Sequence, residues 1–286
     1  MTDSSHLALV RDVVAVAHER QLSVTAAGLA YHAFNTLVPL VILTLVGVSL
    51  VDGLEPLVST LETAVGLEGT VTGGGLEGAM GGSGARTRAA LLAVAVLLWS
   101  AFRLFQAINS AFTDVYGARS DESYVTTAAT VTLVTALYTV LVTATIAVGV
   151  ALVTVVGVSL SVVVGGGWTA AGSTLLLAGL LLAVFLPMYY LFPQPDVSVG
   201  EVLPGTAFAA VSWTVLAVGF RFYVSASESV ALFGIAGAVL LILTWVYLGG
   251  LCLLLGAVLN AVRADHVDPE EEWVPMETAW PVDRTD

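Results

Sequence analysis

Charged residues are scarce in this chain, at 11% of its 286 positions, and lysine is missing, so that all nine basic residues are arginines. Soluble domains carry about 25% charged residues, whereas 57% of this sequence is hydrophobic and its mean hydropathy is +0.94. These figures exclude an ordinary soluble enzyme, a disordered chain and a fibrous repeat. They predict an integral membrane protein.

The few charges are unbalanced, with 22 acidic residues against nine basic ones and a formal net charge of -13. A strongly acidic chain repels the phosphate backbone of nucleic acids, so we expect membrane lipids and no nucleic acid as partners. An acidic chain without lysine also fits a cell with a high-salt interior, where acidic surfaces stay hydrated. The composition therefore predicts a halophilic host, but it says nothing of function.

Cysteine occurs once, at Cys252 in an apolar run, which excludes an intrachain disulfide and a metal site built from several cysteines. As a small apolar residue it is expected to pack in the interior. The N-terminal sequence lacks the basic start and apolar core of a signal peptide. We therefore expect the first long apolar segment to stay in the mature protein.

Catalytic motifs are missing as well: the sequence contains no HExxH, GxSxG, GxGxxG or Walker pattern. None of its four histidines has a partner at metal-ligand spacing. Because a hydrolytic metal centre needs several converging nitrogen or oxygen ligands, we predict no enzymatic activity, no metal and no cofactor.

Long charge-free windows predict the membrane spans, since a bilayer requires about 20 apolar residues per helix. Residues 24–51 and 125–195 contain no charge, and the second window is divided near Trp168, because tryptophan favours the membrane interface. The sequence therefore predicts an all-α polytopic bundle of six transmembrane helices. The predicted spans are 24–51, 89–112, 127–156, 170–192, 202–222 and 229–262.

An amphipathic segment precedes the first span, with Leu7, Val10 and Val14 at helical spacing against charged neighbours. It predicts an N-terminal amphipathic surface helix over residues 1–22, with a soluble cap helix as the alternative. Residues 23–263 then form the transmembrane domain, and 264–286 an acidic disordered tail. Arginines near the span ends favour cytoplasmic termini, for a multi-pass protein of the plasma membrane.

Polar residues inside the first span are the main candidates for function, because polar groups are costly in lipid. Tyr31, Asn35 and Pro39 lie at i, i+4 and i+8 on one helix face, and Thr36 lies on the neighbouring stripe. Pro39 also frees the carbonyl of Asn35. This face predicts a kinked, polar-lined wall along a substrate path, with hydrogen-bonded helix packing as the alternative.

Two further positions complete the predicted cavity lining. Ser100 and Arg103 begin a polar stripe on the second span, which either lines an aqueous vestibule or, as we favour, follows the helix out along the cytoplasmic surface. Asn260 belongs to a stripe of small residues on the sixth span, for which helix packing is the favoured interpretation. The candidate lining residues are Tyr31, Asn35, Thr36, Pro39, Ser100, Arg103 and Asn260.

Several ordered blocks resemble the YihY/BrkB family of membrane proteins, once described as ribonuclease BN. The first span, AAGLAYHAFNTLVPLVIL, is similar to the family's AYxxxxSLxPL signature, with Thr36 in the position of its serine. Further blocks run through LPG at Leu203–Gly205 to the closing LGAVLN, where Val258 replaces the glutamate of the family's LGAELN. The resemblance implies six transmembrane helices and a plasma-membrane location, and it implies no role for Asn35.

The function predicted from these observations is transport or export of an unknown substrate. The alternative is a structural or assembly protein of the cell envelope, whose polar residues only pack helices. Ribonuclease activity is disfavoured, because an acidic membrane chain without a metal cluster is a poor nuclease. The sequence leaves open the substrate, the coupling ion and whether the chain forms a homo-oligomer.

Overall fold

The computed structural model describes residues 2–48, 83–117, 128–140, 167–193, 197–226 and 229–267. Within these ranges the regular structure is all-helical, so the all-α part of the predicted fold class is confirmed for this part of the chain. Seven helices are described: α1 (Thr2–Glu19), α2 (Leu22–Val48), α3 (Ser83–Val115), α4 (Ala128–Val140), α5 (Gly167–Leu191), α6 (Val199–Ala226) and α7 (Ser229–Arg263).

Three of these helices are long and apolar enough to cross a membrane, over Leu91–Val115, Val199–Phe220 and Val239–Arg263. Two shorter apolar stretches, Ala128–Val140 and Leu177–Leu191, lie in α4 and α5. Each helix from α2 to α7 overlaps one predicted span. The rest of the predicted span 127–156, the loop 52–82 and the tail beyond Val267 lie outside the described residues.

Helix α7 occupies the centre of the bundle and packs against α1, α2, α3 and α6. Helix α2 also packs on α3, and α5 packs on α6. The core between α3 and α5 is aromatic, since the rings of Phe112 and Tyr189 meet edge to face at 5.0 Å and Phe192 lies 6.1 Å from Phe112. Such edge-to-face pairs add specific geometry to apolar burial.

Contacts at one end of the bundle fix the relative directions of the helices. Arg20, in the turn between α1 and α2, donates a hydrogen bond to the carbonyl of Asp114 in the last turn of α3. Its guanidinium also lies against Gly117, whose φ of 64° ends that helix in the left-handed conformation. A cation at a helix C-terminus interacts favourably with the helix dipole, so the start of α2 is held to the end of α3.

The same end holds the start of α6 and the end of α7. The His266 imidazole lies 3.9 Å from the Glu201 carboxylate and its ring lies 5.8 Å from that of Tyr116. Burial raises the pKa of the Tyr116 phenol, and the negative charge of Glu201 raises it further. We call this region the polar end; its residues are Arg20, Asp114, Tyr116, Glu201 and His266.

Candidate ligand groove

Helices α5, α6 and α7 cross at two glycines that permit very close contact. A Cβ atom at Gly205 would collide with the carbonyl of Gly256, and one at Gly256 would collide with the Tyr189 hydroxyl. That hydroxyl donates a hydrogen bond of 2.5 Å to the carbonyl of Leu253. Small residues therefore bring the three backbones together here.

Asn260 joins α7 to the proline-interrupted first turns of α6. Its Oδ1 accepts a hydrogen bond of 2.6 Å from the Gly205 N–H, and its Nδ2 donates one of 2.8 Å to the Val202 carbonyl. Pro204 lies between these two residues and has no N–H to donate. The Asn260 side chain, 1% exposed, thus bridges both sides of the interruption.

Farther from the polar end, an indole wedge separates α6 from α7. The Nε1 atom of Trp213 donates a hydrogen bond of 2.8 Å to the carbonyl of Gly249, and a Cβ on that glycine would lie 2.6 Å from the indole. The rings of Trp245 and Phe185 meet Trp213 edge to face at 5.2 and 5.5 Å. Of this cluster, Trp245 lines the space described next.

Beyond the wedge, toward the α6–α7 connection, a groove of about 620 Å³ separates the two helices. Gly219 and Gly237 contribute to this space, and a Cβ at Gly219 would meet nothing within 4 Å. We call it the α6–α7 groove. Its lining residues are Val215, Leu216, Gly219, Phe220, Tyr223, Gly237, Leu240, Leu241, Thr244, Trp245 and Leu248.

The polar atoms in this lining are few and differ in their hydrogen bonding. The Thr244 hydroxyl donates to the Leu240 carbonyl of its own helix at 2.8 Å, so it is satisfied. The Nε1 atom of Trp245 is buried and has no hydrogen-bond partner within the described ranges. An unpaired buried donor is costly. This N–H is enclosed in the wall of the groove, so the surface that the groove offers to a ligand is mostly apolar.

Of the predicted lining residues of α2, Tyr31 and Asn35 lie on its outer side rather than around a shared cavity. Tyr31 is 63% exposed and its ring meets that of His32 at 5.5 Å, and Asn35 is exposed as well. The Thr36 hydroxyl donates to the Ala33 carbonyl of its own helix at 2.6 Å. Pro39 is buried.

The remaining predicted positions are also separate from the groove. Ser100 is half-buried on α3, and the exposed Arg103 donates a 3.2 Å hydrogen bond to Gln106 one turn later. Asn260 lies in the glycine crossing described above. None of the seven predicted residues lines the α6–α7 groove, and a cavity lined by them stays a prediction.

Sequence reasoning missed the groove because its lining is apolar and therefore looks like any packed helix. The residues that could have signalled it are Gly219 and Gly237, which remove side-chain volume on two facing helices beside Trp245. Over the described residues, no group of three or more His, Cys, Asp or Glu side chains could hold a metal ion. The candidate site is thus a binding groove.

The helices that are long and apolar enough to cross a bilayer define the class of protein: this is an α-helical membrane protein. The chain matches the virulence factor BrkB family over residues 13–280, and it belongs to that family. The family resemblance predicted from the sequence is thereby confirmed.

Two curated relatives match shorter stretches of the chain. A ribonuclease-like protein, YfkH of Bacillus subtilis (strain 168), is 34% identical over 84 residues, which is 29% of this chain and 30% of YfkH. A UPF0761 membrane protein of Pseudoalteromonas translucida (strain TAC 125) is 30% identical over 100 residues, or 34% of this chain and 33% of that protein. The matches thus span about a third of each relative. No solved structure matches the chain.

Proposed function

We propose that the protein is a transporter that moves a lipid-like molecule and takes the apolar part of that molecule into the α6–α7 groove. The observation that carries this proposal is the groove itself, with its mostly apolar lining. Its volume of about 620 Å³ falls within the range of about 300–1,000 Å³ that is usual for ligand sites.

The depth of the groove supports a substrate taken from the lipid phase. At 1.5 Å per residue, Trp245 lies about 27 Å along α7 from Arg263 at the polar end, and the hydrocarbon core is about 30 Å thick. The indole therefore sits near the interface opposite the polar end, where the backbone oxygens of lipids lie. Along α7 the groove extends from Leu248, about 22 Å from Arg263, to Gly237, about 39 Å from it. Its inner end therefore lies in the hydrocarbon of that leaflet, and its outer end lies beyond the interface.

This proposal includes the finer membrane arrangement predicted from the sequence: six spans from α2 to α7, with α1 on the membrane surface. The contacts of the polar end support it, because they bring together the starts of α2 and α6 and the ends of α3 and α7. Starts and ends of successive helices meet at this end, which fits a chain that crosses the membrane an even number of times. We place the polar end at the cytoplasmic side of the plasma membrane.

A lipid-translocation assay tests the proposal. Purified protein is reconstituted in vesicles that contain a fluorescent NBD phospholipid, and dithionite is added to bleach the probe that reaches the outer leaflet. We expect bleaching of the inner-leaflet probe to require the protein. Equal bleaching in vesicles with and without protein, whether or not a proton gradient is imposed, would contradict the proposed function.

A matched pair of glycine variants assigns the activity to the groove. Gly219→Leu places a side chain into the open space of the groove, whereas Gly179→Leu places one on α5, where a Cβ also meets nothing within 4 Å. We expect the first variant to slow translocation and the second to leave it unchanged. A structural envelope protein would show no difference between them in this assay.

A further inference from the structure

The outer face of α2 carries polar groups that the other described helices leave exposed. Val24, Gly28, Tyr31 and Asn35 follow steps of four, three and four residues, and all four are exposed. We call this stripe the α2 outer face. In the described part of the chain, no hydrogen bond joins the Asn35 amide to another residue.

The position of Asn35 makes this exposure costly. It lies about 20 Å along the axis from Leu22, where α2 begins at the polar end, which is deep within a hydrocarbon core of about 30 Å. Pro39, four residues later, has no N–H for the Asn35 carbonyl. One level of the helix therefore presents both a free side-chain amide and a freed backbone carbonyl, and lipid chains cannot satisfy either.

We propose that a second copy of the same chain covers the α2 outer face and that the two Asn35 side chains pair across a twofold axis. The membrane fixes the direction of every copy, so a twofold axis along the membrane normal places both Asn35 residues at the same depth. The amide is self-complementary, because each one donates through Nδ2 and accepts through Oδ1.

The rest of the stripe fits a close helix contact of this kind. A Cβ at Gly28 would meet nothing within 4 Å, so the backbone of another helix can approach it closely. Exposed positions separated by four and three residues form the seam of a left-handed helix pair. Tyr31, between Gly28 and Asn35, adds a hydroxyl-bearing side chain to the same contact.

The interface is tested first by disulfide crosslinking in vesicles. In a Cys252→Ser background, Gly28→Cys is expected to form an intermolecular disulfide on mild oxidation, because twofold symmetry brings the two Gly28 positions together. Gly179→Cys is the matched control on an exposed glycine of α5 and is expected to stay monomeric. Failure of Gly28→Cys to crosslink, or equal crosslinking of both variants, would overturn the proposal.

Single-molecule photobleaching then measures association at different protein densities. We expect the wild type to bleach in two steps, Asn35→Leu to associate about 3- to 30-fold more weakly, and Asn35→Gln to keep most of the affinity. Single-step bleaching of the wild type at every density, or unchanged association of Asn35→Leu, refutes the interface. Gly219→Leu is expected to dimerise normally, so failure of the interface and failure of the proposed transport are separate outcomes.

Discussion

Replacing Asn260 with alanine provides a quantitative test of the crossing between α6 and α7. The change removes the side-chain acceptor of the Gly205 N–H and one of two side-chain donors to the Val202 carbonyl. The N–H is then buried without a side-chain acceptor, at a cost of about 1–3 kcal/mol. The cost at the Val202 carbonyl is smaller, because the Thr206 hydroxyl still donates a hydrogen bond of 2.6 Å to it.

With the cavity left by the shortened side chain, we expect Asn260→Ala to lower the free energy of unfolding by about 2–4 kcal/mol. Unfolding of the solubilised protein in an SDS titration, followed by tryptophan fluorescence, measures this change. Ser110→Ala is the control, since it removes an exposed hydroxyl of α3, and we expect a change below about 0.5 kcal/mol. Equal effects of the two substitutions would refute the bridging role of Asn260.

The shared acceptor adds a coupling test. Thr206→Val alone leaves the Val202 carbonyl with its bond from Asn260, so we expect a loss of only about 0.5–1.5 kcal/mol. In the double variant that carbonyl loses both side-chain donors. The loss of unfolding free energy in the double variant should then exceed the sum of the two single losses by about 1 kcal/mol. A strictly additive loss would mean that the two hydrogen bonds are independent.

Three further substitutions test neighbouring contacts through the same unfolding measurement. Gly249→Ala places a methyl group against the Trp213 indole, where a Cβ would be 2.6 Å away, and should lower the free energy of unfolding by about 1–3 kcal/mol. An unchanged free energy would mean that the indole shifts aside without cost. Tyr189→Phe removes the bond to Leu253 and should cost about 0.5–1.5 kcal/mol. Tyr116→Phe removes a buried hydroxyl without a partner in the described ranges, so its stability should equal or exceed that of the wild type; a loss as large as that of Tyr189→Phe would reveal a partner for this hydroxyl.

The helices follow from local patterns, and for that reason the sequence predicts them well. Charge-free windows near the length of the bilayer predict helices, and α2 (Leu22–Val48) and α7 (Ser229–Arg263) extend over the windows 24–51 and 229–262. The small-residue stripe that includes Gly256 likewise indicated close packing. Its partners, Gly205 and Tyr189, were not predictable, because they come from two other helices distant in the sequence.

The candidate site was less predictable, since it depends on which side of a helix faces its neighbours. Helical spacing places Tyr31 and Asn35 on one face, but it does not say whether that face points inward. In the structure α2 turns its apolar positions Ala26 and Leu29 into the core and leaves the polar stripe outside. The groove poses the opposite difficulty, because an apolar lining has no contrast with the surrounding apolar helix.

The distribution of charge bears on the kind of substrate the proposed transporter accepts. In the described helices, carboxylates of the candidate spans lie at the polar end, at Asp114 and Glu201. At the position where the resemblance places a glutamate, this chain has Val258, which is fully buried. A path for cations would require acidic groups at mid-membrane depth, and the described part of the bundle provides none there. An uncharged, mostly apolar lining instead suits a hydrocarbon chain, which is the part of the substrate that the proposed transporter takes up.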